Sequence, residues 1–381
     1  MDIPITSSYN DNFQQRFIRK HLELADIKVN GTNPGDIQVN DDRFYKIVFQ
    51  NGSLGLGESY TAGLWDCISP DIALYKLLIA NISPYKHQSI KILWHKIVGW
   101  LVNEQSIKRA LQNIHKHYDL GNKLFEAMLD KRMIYSCAYW KDANTLEEAQ
   151  DNKLDLICRK LKLEEGQRIL DIGCGWGGFA AFAAQKYGVE VVGVTLSKEQ
   201  AQLAKIKYAH LPVEFHLQDY RKIRGQFDRI VSIGMMEHVG YKNYKQFMQV
   251  VNDALKDNGL FLLHTIGSDI STKRTDPWIH RYIFPNGMMP SLNQITKAAE
   301  GLFVTEDWHN FGSFYDPTLM EWRTRFKKSW PELRQDYDET FYRMWDYYLC
   351  CSAASFRAKK NHLWQFVYSK PGNQNLYIPV R

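Results

Sequence analysis

An α/β fold is predicted, a largely parallel sheet covered by helices on both faces behind a smaller helical N-terminal region, and three observations predict it. From residue 169 onward, short apolar runs alternate with segments of helical spacing. The first run, Ile169 to Ile172, stops abruptly at glycines, and Ala180, Ala181, Ala183 and Ala184 follow. A buried strand, a tight turn and a helix have this pattern. Residues 1–115 read instead as a separate, mostly helical region, so the 381 residues divide into an N-terminal domain, 1–115, and a main domain, 116–381.

Taken in order, Asn10 is placed to cap a helix running through Phe13, Phe17 and Leu22. Gly52 to Tyr60 is too rich in glycine for a helix interior and reads as a packed turn beside Trp65. No Lys-Ser/Thr follows it, so it is not a P-loop. Between Lys86 and Leu101, Lys86, His87, Lys91, His95 and Lys96 interleave with apolar residues including Trp94 and Trp100. On its own this stretch favours a core helix with a solvated basic face, although the same content suits a membrane interface. Met133 to Trp140 places aromatic and apolar residues around Cys137, the setting of an inert packing thiol. Strands are expected at 169–172, 189–194, 213–216, 229–233 and 260–265, then near 303–308 and 363–369. Helices are expected at Ser197–Tyr208 and Lys242–Leu255, and a turn at Gly259. Asp276 to Gly287, aromatic and proline-punctuated, interrupts the alternation as a lid or substrate wall.

Composition narrows the function. With 45% hydrophobic and 24% charged residues, and no apolar run near the length of a bilayer span, the chain reads as a soluble protein. The N-terminus lacks a secretory pattern, and the six cysteines show no metal spacing and no Cys-x-x-Cys pair. Free thiols in a reducing cytoplasm are expected. A net charge of +6 with 13% aromatic residues suits an anionic surface, lipid or nucleic acid.

In open α/β sheets, ligands bind beyond the carboxyl ends of the strands. There the chain delivers Gly173 and Gly175, then Thr195-Leu-Ser197, Asp219-Tyr220, Glu237-His238 and His264-Thr-Ile266. Gly173, Gly175 and Gly178 satisfy G-x-G-x-x-G, but the second strand ends in Thr195-Leu-Ser197 with no carboxylate to hold the ribose of a dinucleotide. Asp171-x-Gly173-x-Gly175 resembles instead the first motif of S-adenosylmethionine-dependent methyltransferases. Taken with Tyr135-Ser-Cys-Ala-Tyr-Trp140, Gly193-Val-Thr-Leu-Ser197, Phe227-Asp-Arg-Ile-Val-Ser232, Glu237-His-Val-Gly240, His264-Thr-Ile-Gly267 and Gly52 to Ser59, the chain resembles the cyclopropane-fatty-acyl-phospholipid synthases over nearly its whole length.

That resemblance implies a class I methyltransferase, Rossmann-like sheet behind a helical domain that contacts lipid. It implies methylene transfer from S-adenosylmethionine to the cis double bond of a phospholipid acyl chain, with bound bicarbonate as the proton acceptor. The family's ion-holding positions fall on Cys137, Glu237, His264, the Ile266 backbone and Tyr315. Cofactor positions fall on Tyr135, Ser136, Gly173, Gly175, Gly177, Thr195, Leu196, Ser197, Gln200, Asp219, Tyr220 and Ile233. Tyr282, Phe284, Trp308 and Tyr315 are candidates to face a carbocation. A position where some members carry a cysteine falls on Ser352, beside Cys351, and Cys351 is left out of the catalytic set. Unsaturated phospholipid at the inner membrane surface, a peripheral cytoplasmic location and a homodimer are implied, with no nucleic acid and no metal. A methyltransferase leaving a methyl or methylidene branch would use the same cofactor motifs, and a non-catalytic lipid-binding module is the remaining reading.

Overall fold

The computed structural model describes residues 7–80, 121–272 and 275–381, with side chains from residue 13 onward. The expected boundary near 115 and the Lys86–Leu101 stretch lie outside the described residues. The N-terminal part contains α1 (Ser7–Leu24), β1 (Gln38–Val39), α2 (Arg43–Asn51), α3 (Ser53–Thr61), β2 (Trp65–Asp66) and α4 (Pro70–Ile79). Asn10 sits inside α1 rather than capping it, because the helix begins at Ser7 and absorbs the polar residues ahead of Phe13.

Beyond Gly52, which precedes it as N-cap, the expected packed turn is the helix Ser53–Thr61. Its glycines serve packing: a Cβ on Gly55 would collide with the Ile47 carbonyl, and one on Gly57 with the Trp278 ring. The expected neighbour is present, since Trp65 Nε1 donates to the Leu56 carbonyl at 3.1 Å.

The rest of the chain runs α5 (Asn122–Met128), α6 (Leu146–Lys160), β3 (Arg168–Ile172), α7 (Gly178–Tyr187), β4 (Glu190–Thr195), α8 (Lys198–Lys207), β5 (Val213–Leu217), β6 (Phe227–Ile233), α9 (Met236–Val239), α10 (Tyr244–Ala254), β7 (Leu255–Gly267), α11 (Pro277–Tyr282), α12 (Leu292–Ala299), β8 (Val304–Asn310), α13 (Tyr315–Leu333), α14 (Glu339–Arg357) and β9 (His362–Ser369). One seven-stranded sheet has the order β5-β4-β3-β6-β7-β9-β8. Its first five strands are parallel, and β9 runs antiparallel between β7 and β8. Every expected strand is present. The turn expected at Gly259 lies within β7, where the register against β6 shifts between Phe227 and Arg229.

Alternate residues of each strand feed opposite faces. Ile169, Val191, Phe215 and Val231 pack with Ala180 and Ala183 of α7, while Leu170, Val194, Ile230 and Phe261 pack with Phe247 and Val251 of α10. A third cluster joins Ile18, Phe44 and Trp65 of the N-terminal part to Phe125, Trp322 and Trp345. The strand order reverses between β3 and β6, which opens a crevice at Gly173 and Gly234.

Candidate functional site

A cavity of about 160 Å³ fills that crevice. Gly173 and Gly175 have φ of +85° and +53°, backbone that a side chain would strain. Beyond Gly175 a Cβ would meet nothing, so a ligand can approach the backbone directly. Tyr135, Ser136, Gly173, Gly175, Thr195, Leu196, Gln200, Asp219, Tyr220 and Ile233, expected for the cofactor, all line this space. Gly177 and Ser197 do not. Gly177 turns towards Phe215, which a Cβ there would strike at 2.5 Å. Ser197 caps α8, its side chain accepting from the Gln200 backbone N–H. The Asp219 carboxylate is engaged by Arg221, at 2.8 Å from Nε and 2.6 Å from an η nitrogen. Burial would raise its pKa, but these bonds win and hold it below the usual carboxylate value.

A second, larger cavity of about 540 Å³ lies against the first. Its far part is apolar, lined by Ile18, Leu22, Phe44, Val48, Leu74 and Leu77 from the N-terminal helices. At the sheet end stand Glu237, His264, Ile266 and Tyr315. Tyr135, Ser136, Gly234 and His238 line both cavities and form the shared wall.

Glu237, delivered by α9 beyond β6, accepts the Ile266 backbone N–H on Oε1 at 2.6 Å. That N–H is therefore already committed to the carboxylate. Glu237 Oε2 is buried with no hydrogen-bond partner, and burial lifts the group to about 7. On β7, His264 Nδ1 lies 3.2 Å from the Gln365 amide nitrogen, which donates to it. The ring proton then sits on Nε2, an atom that is buried and without a partner. Burial holds this imidazole neutral.

Cys137 lines neither cavity. It is fully buried, its thiol donating to the Ala138 carbonyl at 3.2 Å, and burial raises its pKa far above that of a free thiol. Of the aromatic candidates, Phe284 and Tyr315 line the second cavity. Tyr282 bonds outward to Glu58 at 2.9 Å, and Trp308 is 47% exposed on β8. Both consecutive residues Cys351 and Ser352 reach this cavity, which is wider than one face of α14.

Several lining residues carried no sequence signal. Lys153 and Arg221 stand in no motif, yet both line the first cavity and Lys153 is wholly buried. Pro285 and Asn286 wall the first cavity, Ile279 and Phe284 the second, so the 276–287 segment is a wall to both.

The sequence profile of the mycolic acid cyclopropane synthetase family matches residues 105–366. The chain belongs to the mycolic acid cyclopropane synthetase family. Among its relatives, the cyclopropane-fatty-acyl-phospholipid synthase of Escherichia coli is 51% identical over 371 residues, 97% of each chain. A tuberculostearic acid methyltransferase of Mycobacterium tuberculosis is 32% identical over 361 residues, covering 87% of this chain and 82% of its own. The mycolic acid cyclopropane synthase CmaA1, solved with SAH and CTAB, superposes with a TM-score of 0.65 at 33% identity, over 68% of this chain and 98% of that one. Members of the mycolic acid cyclopropane synthetase family share the class I methyltransferase sheet seen here. The N-terminal helices that line the apolar cavity lie ahead of the matched residues.

Proposed function

We propose that this chain is a cyclopropane-fatty-acyl-phospholipid synthase, transferring a methylene group from S-adenosylmethionine to the cis double bond of an unsaturated phospholipid acyl chain. The observation that carries the reading is the pair of cavities with one wall in common. The glycine-floored crevice suits a nucleoside with an amino-acid end, and the apolar chamber suits an acyl chain.

An alkene is a poor nucleophile, so the chain's first task is to hold it dry and close to the reactive carbon. The N-terminal helices supply the apolar walls, and the shared wall of Tyr135, Ser136, Gly234 and His238 sets the approach. Phe284 and Tyr315 present aromatic groups where positive charge develops on the acyl chain. S-adenosylmethionine supplies the electrophilic carbon when bound.

Ring closure needs a proton acceptor. Glu237 Oε2 and His264 Nε2 are both orphaned and buried at the sheet end of the chamber, one accepting and one donating. That donor set fits bicarbonate, which can do both and would supply a proton-accepting oxygen. Glu237, His264 and Tyr315 would hold it; Cys137, which lines neither cavity, would not. The substrate reaches the chain from a membrane to which it binds peripherally; no helix among the described residues is long and apolar enough to cross one. A homodimer is the expected assembly. Changing Lys86, Lys91 and Lys96 together to Gln should weaken binding to anionic vesicles, measured by flotation.

The decisive measurement offers S-adenosylmethionine with a trideuterated methyl, monounsaturated phospholipid vesicles and bicarbonate. Mass spectrometry of the released acyl chains should find two deuteriums retained in a ring. Three deuteriums would mean a methyl transferred whole, and a retained pair in a methylidene product would mean a branch. No label in lipid would point to another acceptor or to no enzyme at all.

A further inference from the structure

Lys153 is a buried charge that the reaction described above leaves unused. It sits on α6 with none of its surface exposed, lining the first cavity. Its Nζ donates to Ser136 Oγ at 2.9 Å. Three residues earlier on the same helix, Gln150 Nε2 donates to the Ser136 carbonyl at 3.0 Å and leans on the Ile134 carbonyl at 3.4 Å. One face of α6 thus fixes the 134–136 segment through two side chains. Two buried carboxylates act on it at longer range without an ion pair: Asp130, whose two oxygens are on the backbone N–H groups of Arg132 and Ile134 at 3.0 and 2.8 Å, and Asp171, which lines the same cavity with Oδ2 unpartnered.

A buried ammonium is costly, and an apolar side chain of similar volume would fill the same place more cheaply. What the ammonium adds is directional. A hydroxyl that accepts a hydrogen bond from a cation keeps its own hydrogen free and polarised. Ser136 lines the cavity, so that hydrogen is available to a ligand there as a donor suited to an anion.

We propose that Lys153 is a positioning residue for the nucleoside cofactor: acting through Ser136 Oγ, it turns that hydroxyl into a donor for the carboxylate at the cofactor's amino-acid end. The proposal rests on the cofactor class given above. It assigns Lys153 a task that is separate from proton removal in the second cavity.

Calorimetry on the full chain tests it with two nucleosides, S-adenosylhomocysteine and 5′-methylthioadenosine, which lacks the amino-acid end. Lys153→Met should weaken S-adenosylhomocysteine binding about tenfold to hundredfold, the scale of one charge-assisted hydrogen bond. Methylthioadenosine binding should change less than about twofold, since it never meets the hydroxyl. Ser136→Ala should reproduce the selective loss, and the double variant should lose no more than either alone. Equal weakening of both nucleosides would reduce Lys153 to a packing role and overturn the proposal. Additive losses would overturn the route through Ser136. Should Lys153→Met fail to fold, Ser136→Ala decides alone: unselective or absent loss rejects the proposal. Failure of the unmodified chain to bind either nucleoside would instead bring down the cofactor reading, and this proposal with it.

Discussion

Glu237 is held by two opposing influences. The Ile266 N–H favours its ionised form, while burial favours the neutral one and prevails, lifting it from 4.5 to about 7. A carboxyl whose folded pKa is raised binds more protons folded than unfolded between those values. Stability therefore falls as pH climbs from about 4.5 to about 7, by up to about 3 kcal/mol from this group. Glu237→Gln should remove that part of the slope, and urea midpoints across pH should show the variant gaining on the parent above pH 7. The same variant should impair ring formation; cyclopropane made at the normal rate would refute the role given to this carboxylate. His264 depends on its neighbour in a comparable way. Gln365→Glu should draw the ring proton to Nδ1 and turn Nε2 from donor to acceptor. Product formation should drop at least about tenfold while S-adenosylhomocysteine binding holds, the scale of one mispaired buried contact. Glu237 and His264 were legible because both stand at the ends of strands on the ligand side. Gln365 was not, since it lies on the one reversed strand, and its place beside His264 depends on the β7–β9 register.

At the level of elements, α3 shows why glycine counting misled. Gly55 and Gly57 weaken a helix in isolation, but the helix is accepted because α2 and Trp278 press too closely for any side chain. Tertiary contact overrode local preference, and nothing near Gly57 in the sequence announces Trp278. Gly57→Ala should therefore cost about 1–3 kcal/mol in urea unfolding through overpacking. Because Trp278 belongs to the 276–287 segment that walls both cavities, the variant should also raise the KM for lipid. The order of strands was legible, since Ile169–Ile172, apolar but for Asp171, and Leu260–Leu263 are runs that a doubly covered strand buries, although β7 begins at Leu255, five residues ahead of the expected start.

Across the whole molecule, the N-terminal helices are tied to the C-terminal ones through Asp346. It accepts from the Tyr60 hydroxyl at 2.9 Å and from Arg323 Nε at 2.7 Å while nearly fully buried. Burial alone would raise this carboxyl, yet Arg323 holds it below the usual range. Asp346→Asn leaves the Arg323 charge without its partner and should cost about 3–5 kcal/mol in denaturant unfolding. The wall common to both cavities also constrains the order of events. A carbon can cross from one chamber to the other only when both are filled, and the buried, high-pKa Cys137 offers no thiolate to carry it meanwhile. Initial-rate plots should therefore intersect rather than run parallel. On the proposed reaction each round leaves spent nucleoside in one chamber and a finished chain in the other, so both must be emptied before the next carbon can cross.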